Sequence, residues 1–219
     1  MNSAIILAGG SGKRTNLKIP KQFIKIDVKN HIVSYSINSF KKNKNIHEII
    51  VVVPKDWMNK FSEKFKNVRV VQGGKTRSES SIIGLHACSK KTTNVLIHDA
   101  VRPFISQRLI NEIIEKLNKY DAVIPLLDCM DSIVKIDDNS FHYLNREKVK
   151  YVQTPQGFSY SLIYSAYKNS QKNINVFSDN MSALISHNPK VNYTFIDGES
   201  SNFKITTIED IDKAKILLK

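Results

Sequence analysis

The strongest constraint in this chain is an alternation of two hydrophobic rhythms. β-Branched apolar runs recur at 3–7, 48–53, 68–72, 94–98 and 121–126. Stretches of helical spacing lie between them, at 32–42, 55–66, 78–89 and 106–119. A strand that is apolar on every residue is buried on both faces, and parallel strands need a crossover element between them. The order predicts an α/β fold with a largely parallel sheet covered on both sides. Further strand candidates lie at 132–136, 149–153, 192–196 and 202–206, and helical candidates at 159–170, 179–187 and 207–218. The last opens on Thr207 with Glu209 and Asp210 behind it, which suits a helix N-terminus. With 219 residues, 41% of them hydrophobic, the chain can fill one large core, and it is read as a single domain over 1–219.

Segment 128–150 breaks the alternation. Short strand-like pieces flank the polar turn Asp137-Asp138-Asn139-Ser140, a pattern expected of a protruding β-hairpin arm. A surface insertion without consequence is the plain alternative.

The formal charge is +13. Such an excess raises nucleic acid as a partner. However, 27 of the 33 cations are lysines, dispersed along the chain, and only 6 are arginines. Arg is the side chain suited to bidentate phosphate contacts, so its placement carries more information than the net charge. No RNA-binding aromatic motif, zinc-finger spacing or Arg-rich helix accompanies the charge. No apolar run approaches the roughly 20 residues that span a bilayer, so no membrane partner is expected. The opening residues read as a buried strand and not as a signal peptide. Two cysteines, Cys88 and Cys129, are too few for a disulfide scaffold, and a cytoplasmic location is expected.

Five clusters could carry chemistry. Gly9, Gly10 and Gly12 follow the first strand in L-A-G-G-S-G-K-R, where backbone N–H groups can close on phosphate oxygens. Leu7 and Arg14 exclude a P-loop, and Thr15 excludes a dinucleotide fingerprint. Lys13, Arg14 and Lys21 place three cations by the loop. Gly73 and Gly74 precede Arg77 and Ser80 at a helix start, which can hold an anion or a base edge. Asp99 and Arg102 stand in I-H-D-A-V-R-P-F at a strand's carboxyl end, where open α/β sheets bind ligands; His98 beside them is assigned no role. Arg146 with Q-T-P-Q at 153–156, and S-N-F-K-I-T-T at 201–207, complete the set. Four of the six arginines fall inside these clusters, against expectation if they served general basicity.

In this order, the Gly loop, K-Q-F at 21–23, G-G-x-x-R-x-x-S at 73–80, H-D-A-x-R-P at 98–103, Q-T-P-Q and K-I-T-T resemble the 2-C-methyl-D-erythritol 4-phosphate cytidylyltransferase family. The related ribitol-5-phosphate cytidylyltransferases are a near second. The resemblance runs over about 3–218. It implies a Rossmann-like nucleotidyltransferase sandwich with a mainly parallel mixed sheet and a protruding β-arm. It also implies transfer of CMP from CTP to a polyol phosphate, with Mg²⁺ as cofactor.

Residue by residue, the resemblance puts the CTP phosphates on Ala8, Gly9, Gly10, Gly12 and Lys13. Gly73, Gly74, Arg77 and Ser80 take the cytosine and ribose side, with Asp99 and Ala100 alongside. Arg14, Lys21 and Lys204 are the catalytic cations. The polyol phosphate falls to Asp99, Arg102, Ser132, Arg146, Thr154 and Lys204, and Mg²⁺ to Asp99 and Asn202. In the family a hairpin arm completes the partner's site, which implies a homodimer. The chain departs from the family in having Asp131-Ser132 for Asp-Thr, Ser201 where the erythritol enzymes often have Asp, and S-D-N at 178–180 for T-D-D. These changes bear on the acceptor, leaving the ribitol-type alternative open, as is CTP against UTP.

A nucleotide-sugar glycosyltransferase would share the nucleotide half of the fold, but it usually needs an Asp-x-Asp metal motif at a strand end. Here the acidic turn at 137–139 is the candidate for it.

Overall fold

The computed structural model describes residues 1–10, 19–138, 140–170 and 177–218. Gly12, Lys13 and Arg14 lie outside them.

The apolar runs become the strands β1 (Asn2–Leu7), β2 (Glu48–Val53), β3 (Arg69–Gln72), β4 (Asn94–Asp99) and β5 (Ala122–Asp128). The stretches of helical spacing become α1 (Ile32–Lys41), α2 (Met58–Lys64), α3 (Arg77–His86) and α4 (Gln107–Lys116). After them come β6 (Ile133–Asp137), β7 (Ser140–Leu144), β8 (Lys150–Val152), β9 (Gln156–Ser159), α5 (Tyr160–Asn169), α6 (Asn180–His187), β10 (Tyr193–Asp197) and α7 (Ile208–Ile216). The main sheet runs β10-β5-β9-β4-β1-β2-β3, with β8 also on β5. Pairs β3–β2, β2–β1, β1–β4 and β5–β10 are parallel; β9 runs antiparallel between β4 and β5.

Successive residues of a strand point to opposite faces, and both faces are filled. Ala4, Ile6, Val51 and Leu96 join α1, α2 and α4 through Val33, Ile37, Phe40, Phe61, Leu109 and Ile113. Ile5, Ile50, Val52 and Ile97 join α3, α5 and α6 through Leu85, Ile163, Tyr167 and Leu184. Such two-sided burial is why these strands carry no polar alternation. The caps follow the sequence: the Thr76, Ser106 and Thr207 side chains each accept a backbone N–H at the start of α3, α4 and α7.

The structure corrects the sequence reading in two places. Segment 202–206 is not a strand. It crosses the carboxyl ends of the strands, tied by the Ile205 N–H to the Val101 carbonyl at 2.9 Å. And β9 was not expected: Gln156-Gly157-Phe158-Ser159 follows a proline and carries no β-branched residue. Its glycine is there for packing. A Cβ on Gly157 would sit 2.3 Å from Ile113 Cγ2, so α4 can lie on β9 only with a hydrogen at that position.

The arm is as expected in kind. β6 and β7 form a separate two-stranded antiparallel sheet, paired Ile133 to Leu144 through Asp137 to Ser140. Asp137 and Asp138 lie at its tip, off the main sheet, which removes that turn as an Asp-x-Asp candidate.

Candidate functional site

The carboxyl ends of β1 and β4, the turn after β3 and the crossing segment at 202–206 enclose a cavity of about 510 Å³. Lys21, Gln22, Gly9, Gly10, Gly74, Lys75, Thr76, Arg77, Ser80, Asp99 and Lys204 are among its lining residues. Four of these are cations and one is a carboxylate, so the described lining is cationic and suits an anion.

Asp99 is the electrostatic centre. One carboxylate oxygen accepts from Arg77, from Nε at 3.2 Å and from the second guanidinium nitrogen at 3.1 Å. The other accepts from Lys204 Nζ at 2.8 Å. Burial by itself would push the Asp99 carboxyl up, but Arg77, Lys204 and Arg102 outweigh it and hold it well below the usual carboxylate range. Arg77 and Lys204 are far apart in the chain and share no motif; it is the fold that brings them to one carboxylate.

Behind Asp99 lies a closed hydrogen-bond chain. The Asp99 N–H donates to Thr154 Oγ at 3.0 Å. Thr154 Oγ lies 3.1 Å from His98 Nδ1, and His98 Nε2 lies 3.0 Å from the Arg102 carbonyl. A carbonyl only accepts, so Nε2 carries a proton, and in the neutral ring Nδ1 accepts from the threonine hydroxyl. The His98 ring holds the 99–102 turn. Burial, the largest influence, brings its pKa down from 6.5 to about 4. The unfolded chain takes up this proton below pH 6.5 and the folded chain does not until about pH 4. Stability is then lost as pH falls through that window, by up to about 3 kcal/mol. Urea unfolding at pH 7 and pH 4.5 should show this loss, and His98→Gln should lose less.

Arg102 is buried beside this chain. It donates to the Asn202 carbonyl at 2.8 Å and to the Val152 carbonyl at 3.4 Å, and its Nε has no partner among the described residues. Asn202 is fully buried; its side-chain amide donates to the Thr154 carbonyl at 2.8 Å.

Among the described residues, those derived from the sequence fall into three groups. Gly9, Gly10, Lys21, Gly74, Arg77, Ser80, Asp99 and Lys204 meet in the cavity. Ala8, Gly73, Ala100, Arg102, Thr154 and Asn202 are not part of its lining; of these Ala8, Ala100, Arg102, Thr154 and Asn202 are buried. Gly73 is there for close approach: a Cβ on it would come 3.1 Å from Ser80 Oγ, and one on Gly9 would come 3.0 Å from the same atom. Ser132 and Arg146 are exposed on the arm, where Arg146 donates to the Met130 carbonyl at 3.2 Å.

Sequence reasoning passed over Gln22, Thr76 and Asn180. Asn180 is fully buried, and its Oδ1 accepts from Arg77, Ser81 and Tyr167 at 3.3, 3.0 and 2.9 Å. A polar residue opening a helix reads in sequence as a cap, and nothing in it announces three donors from elsewhere.

A family model described as IspD, 2-C-methyl-D-erythritol 4-phosphate cytidylyltransferase, matches residues 2–219. A 2-C-methyl-D-erythritol 4-phosphate cytidylyltransferase of Clostridioides difficile is 38% identical, over 100% of this chain and 94% of its own. One of Thermotoga neapolitana is 33% identical, over 100% and 97%. The crystal structure of a 4-diphosphocytidyl-2C-methyl-D-erythritol synthase from Anaerococcus prevotii superposes with a TM-score of 0.87 at 33% identity, covering 100% of this chain and 96% of that one.

Proposed function

Because this chain belongs to the 2-C-methyl-D-erythritol 4-phosphate cytidylyltransferase family, we infer that its cavity is where CMP passes from CTP to 2-C-methyl-D-erythritol 4-phosphate. The enzyme is a nucleotidyltransferase of isoprenoid precursor synthesis. The observation that carries the assignment of the site is the cation-rich lining around a single ionised carboxylate, at the strand ends where α/β sheets bind nucleotides.

The reaction is an in-line attack of an acceptor phosphate oxygen on the α-phosphorus of CTP. The new P–O bond forms as the bond to the leaving pyrophosphate breaks. The attacking phosphate is already an anion near pH 7, so no general base is required. The barrier is electrostatic: two anions must meet while charge builds on the phosphoryl oxygens, and preorganised cations lower it. Lys21 and Lys204 take that role, together with Arg14, which lies outside the described residues. Gly9 and Gly10 take the triphosphate, with Gly12 and Lys13 beyond the described part of the loop. Gly74, Arg77 and Ser80 take the nucleoside side.

Mg²⁺ neutralises triphosphate charge when bound. The donor set fits an ion that arrives on the nucleotide, since Mg²⁺ is commonly held by phosphates, water and one or two carboxylates. Asp99 is the one carboxylate of the described lining and would hold it. Asn202 does not fit, being fully buried and outside the lining.

A homodimer belongs to the same reading, as does the division into one catalytic domain with an arm at 128–150. Its support is the arm itself, where Met130, Ile136, Phe141 and Tyr143 are between 62% and 80% exposed. Arg146→Ala should weaken binding of the acceptor phosphate while CTP binding holds. Mixed with a Lys21→Ala variant under subunit exchange, it should regain turnover through hybrid sites; exchange without recovery would sink arm sharing. A cytoplasmic location is supported by the substrate CTP and by Cys88 and Cys129, both unpaired. Among the described residues no helix is long and apolar enough to cross a membrane.

The deciding assay measures pyrophosphate release with CTP or UTP against erythritol-, ribitol- and glycerol-type phosphates. Turnover with CTP and the methylerythritol phosphate should exceed all other pairs. Preference for the ribitol ester would move the enzyme to the alternative acceptor.

A further inference from the structure

Gln22 sits in a one-turn 3₁₀ helix, Lys21–Phe23, and is 3% exposed. The turn is clamped from behind, where Phe23 stacks on Trp57 with ring centroids 4.0 Å apart. From there the Gln22 amide nitrogen donates to two carbonyls of the loop after β1, Ala8 at 2.7 Å and Gly10 at 2.6 Å. Both hydrogens of one NH₂ group are spent on two alternate peptides of a loop that lines the cavity.

This matters for an anion. A trans peptide points its C=O and N–H in opposite directions. Pinning the Ala8 carbonyl on Gln22 therefore aims the Gly9 N–H away from Gln22. Among the described residues the Gly9 N–H makes no hydrogen bond, whereas the Ala8 N–H is already taken by the Val52 carbonyl at 2.8 Å. The same contacts offset the negative ends of two carbonyls that would otherwise repel phosphate oxygens.

We propose that Gln22 is a positioning residue for the nucleotide: its amide fixes the Ala8 and Gly10 carbonyls so that the Gly9 N–H is held ready to donate to a triphosphate oxygen. This rests on the nucleotide reading of the cavity. It also gives the turn at 21–23 two linked tasks, since Lys21 supplies charge and Gln22 orients the backbone opposite.

The test is calorimetric titration of CTP into the wild-type enzyme and into Gln22→Met, which keeps the length of the side chain and loses both donors. The variant should bind CTP about tenfold more weakly, a loss on the scale of one or two hydrogen bonds. KM for CTP should rise alike while KM for the acceptor stays within about twofold, a split that general loosening would not produce. CTP binding within about twofold of wild type overturns the role of Gln22. Should the variant fail to fold, the wild type decides by ¹⁵N NMR: adding CTP should shift the Gly9 amide strongly, adding cytidine should not, and a Gly9 amide indifferent to CTP overturns the proposal. A wild type that binds no CTP would instead overturn the nucleotide reading itself.

Discussion

Replacing Lys21 with alanine should lower kcat by about 100- to 1000-fold and leave the protein folded, since removing one preorganised charge at a phosphoryl centre costs about 3–4 kcal/mol of transition-state stabilisation. Lys21 is 8% exposed and lines the cavity. Its backbone turn is held by other means, namely the Phe23–Trp57 stack and the Gln22 amide. The fold should survive because the neighbours do the packing. Steady-state turnover and a thermal melt check both halves. Near wild-type kcat would remove Lys21 from the mechanism, and a collapsed melt would make it a structural residue.

Asp99→Asn should be at least as damaging, for a different reason. The carboxylate pairs with Arg77 on one oxygen and Lys204 on the other, and is itself almost wholly buried. Removing its charge leaves two cations facing one another without their counter-ion. Breaking a buried pair costs about 3–5 kcal/mol, and the low end applies because both cations are about a third exposed. The amide also loses the one carboxylate of the described lining that could meet a cation or acceptor hydroxyls. We expect kcat to fall by more than about 100-fold, by analogy with the loss of a single transition-state contact. Affinity for CTP measured without Mg²⁺ should be kept or increased, because a negative charge has left an anion site. Parallel loss of kcat and of Mg²⁺-free CTP binding, with a lowered thermal melt, would show that Asp99 serves only to hold the fold.

These two residues were legible in sequence to different degrees. Lys21 is marked by its place beside a Gly-rich loop, and Asp99 by its place at a strand end. Neither position reveals that Arg77 and Lys204 converge on Asp99, because they come from a helix start and from a segment that looked like a strand. Thr154 is the sharper case. It reads as a substrate contact, yet its hydroxyl is engaged by His98 and the Asp99 N–H, so what it offers the site is the placement of Asp99. His98 and Gln22, which had no role in the sequence reading, turn out to hold two backbone segments that line the cavity.

What the sequence alone determined is the layered α/β architecture, most element positions, the hairpin arm and the family. Hydrophobic period is a local signal, and glycine, proline and capping residues punctuate it within a few positions. The insertion of β9 between β4 and β5 was decided only in three dimensions, because Gly157 answers to Ile113 on a distant helix. So was the path of 202–206, whose apolar Ile205 is buried against α7 instead of in the sheet. The polar chemistry was decided there too. A hydrogen bond depends on distances and directions between residues far apart in the chain, and no periodicity carries that information.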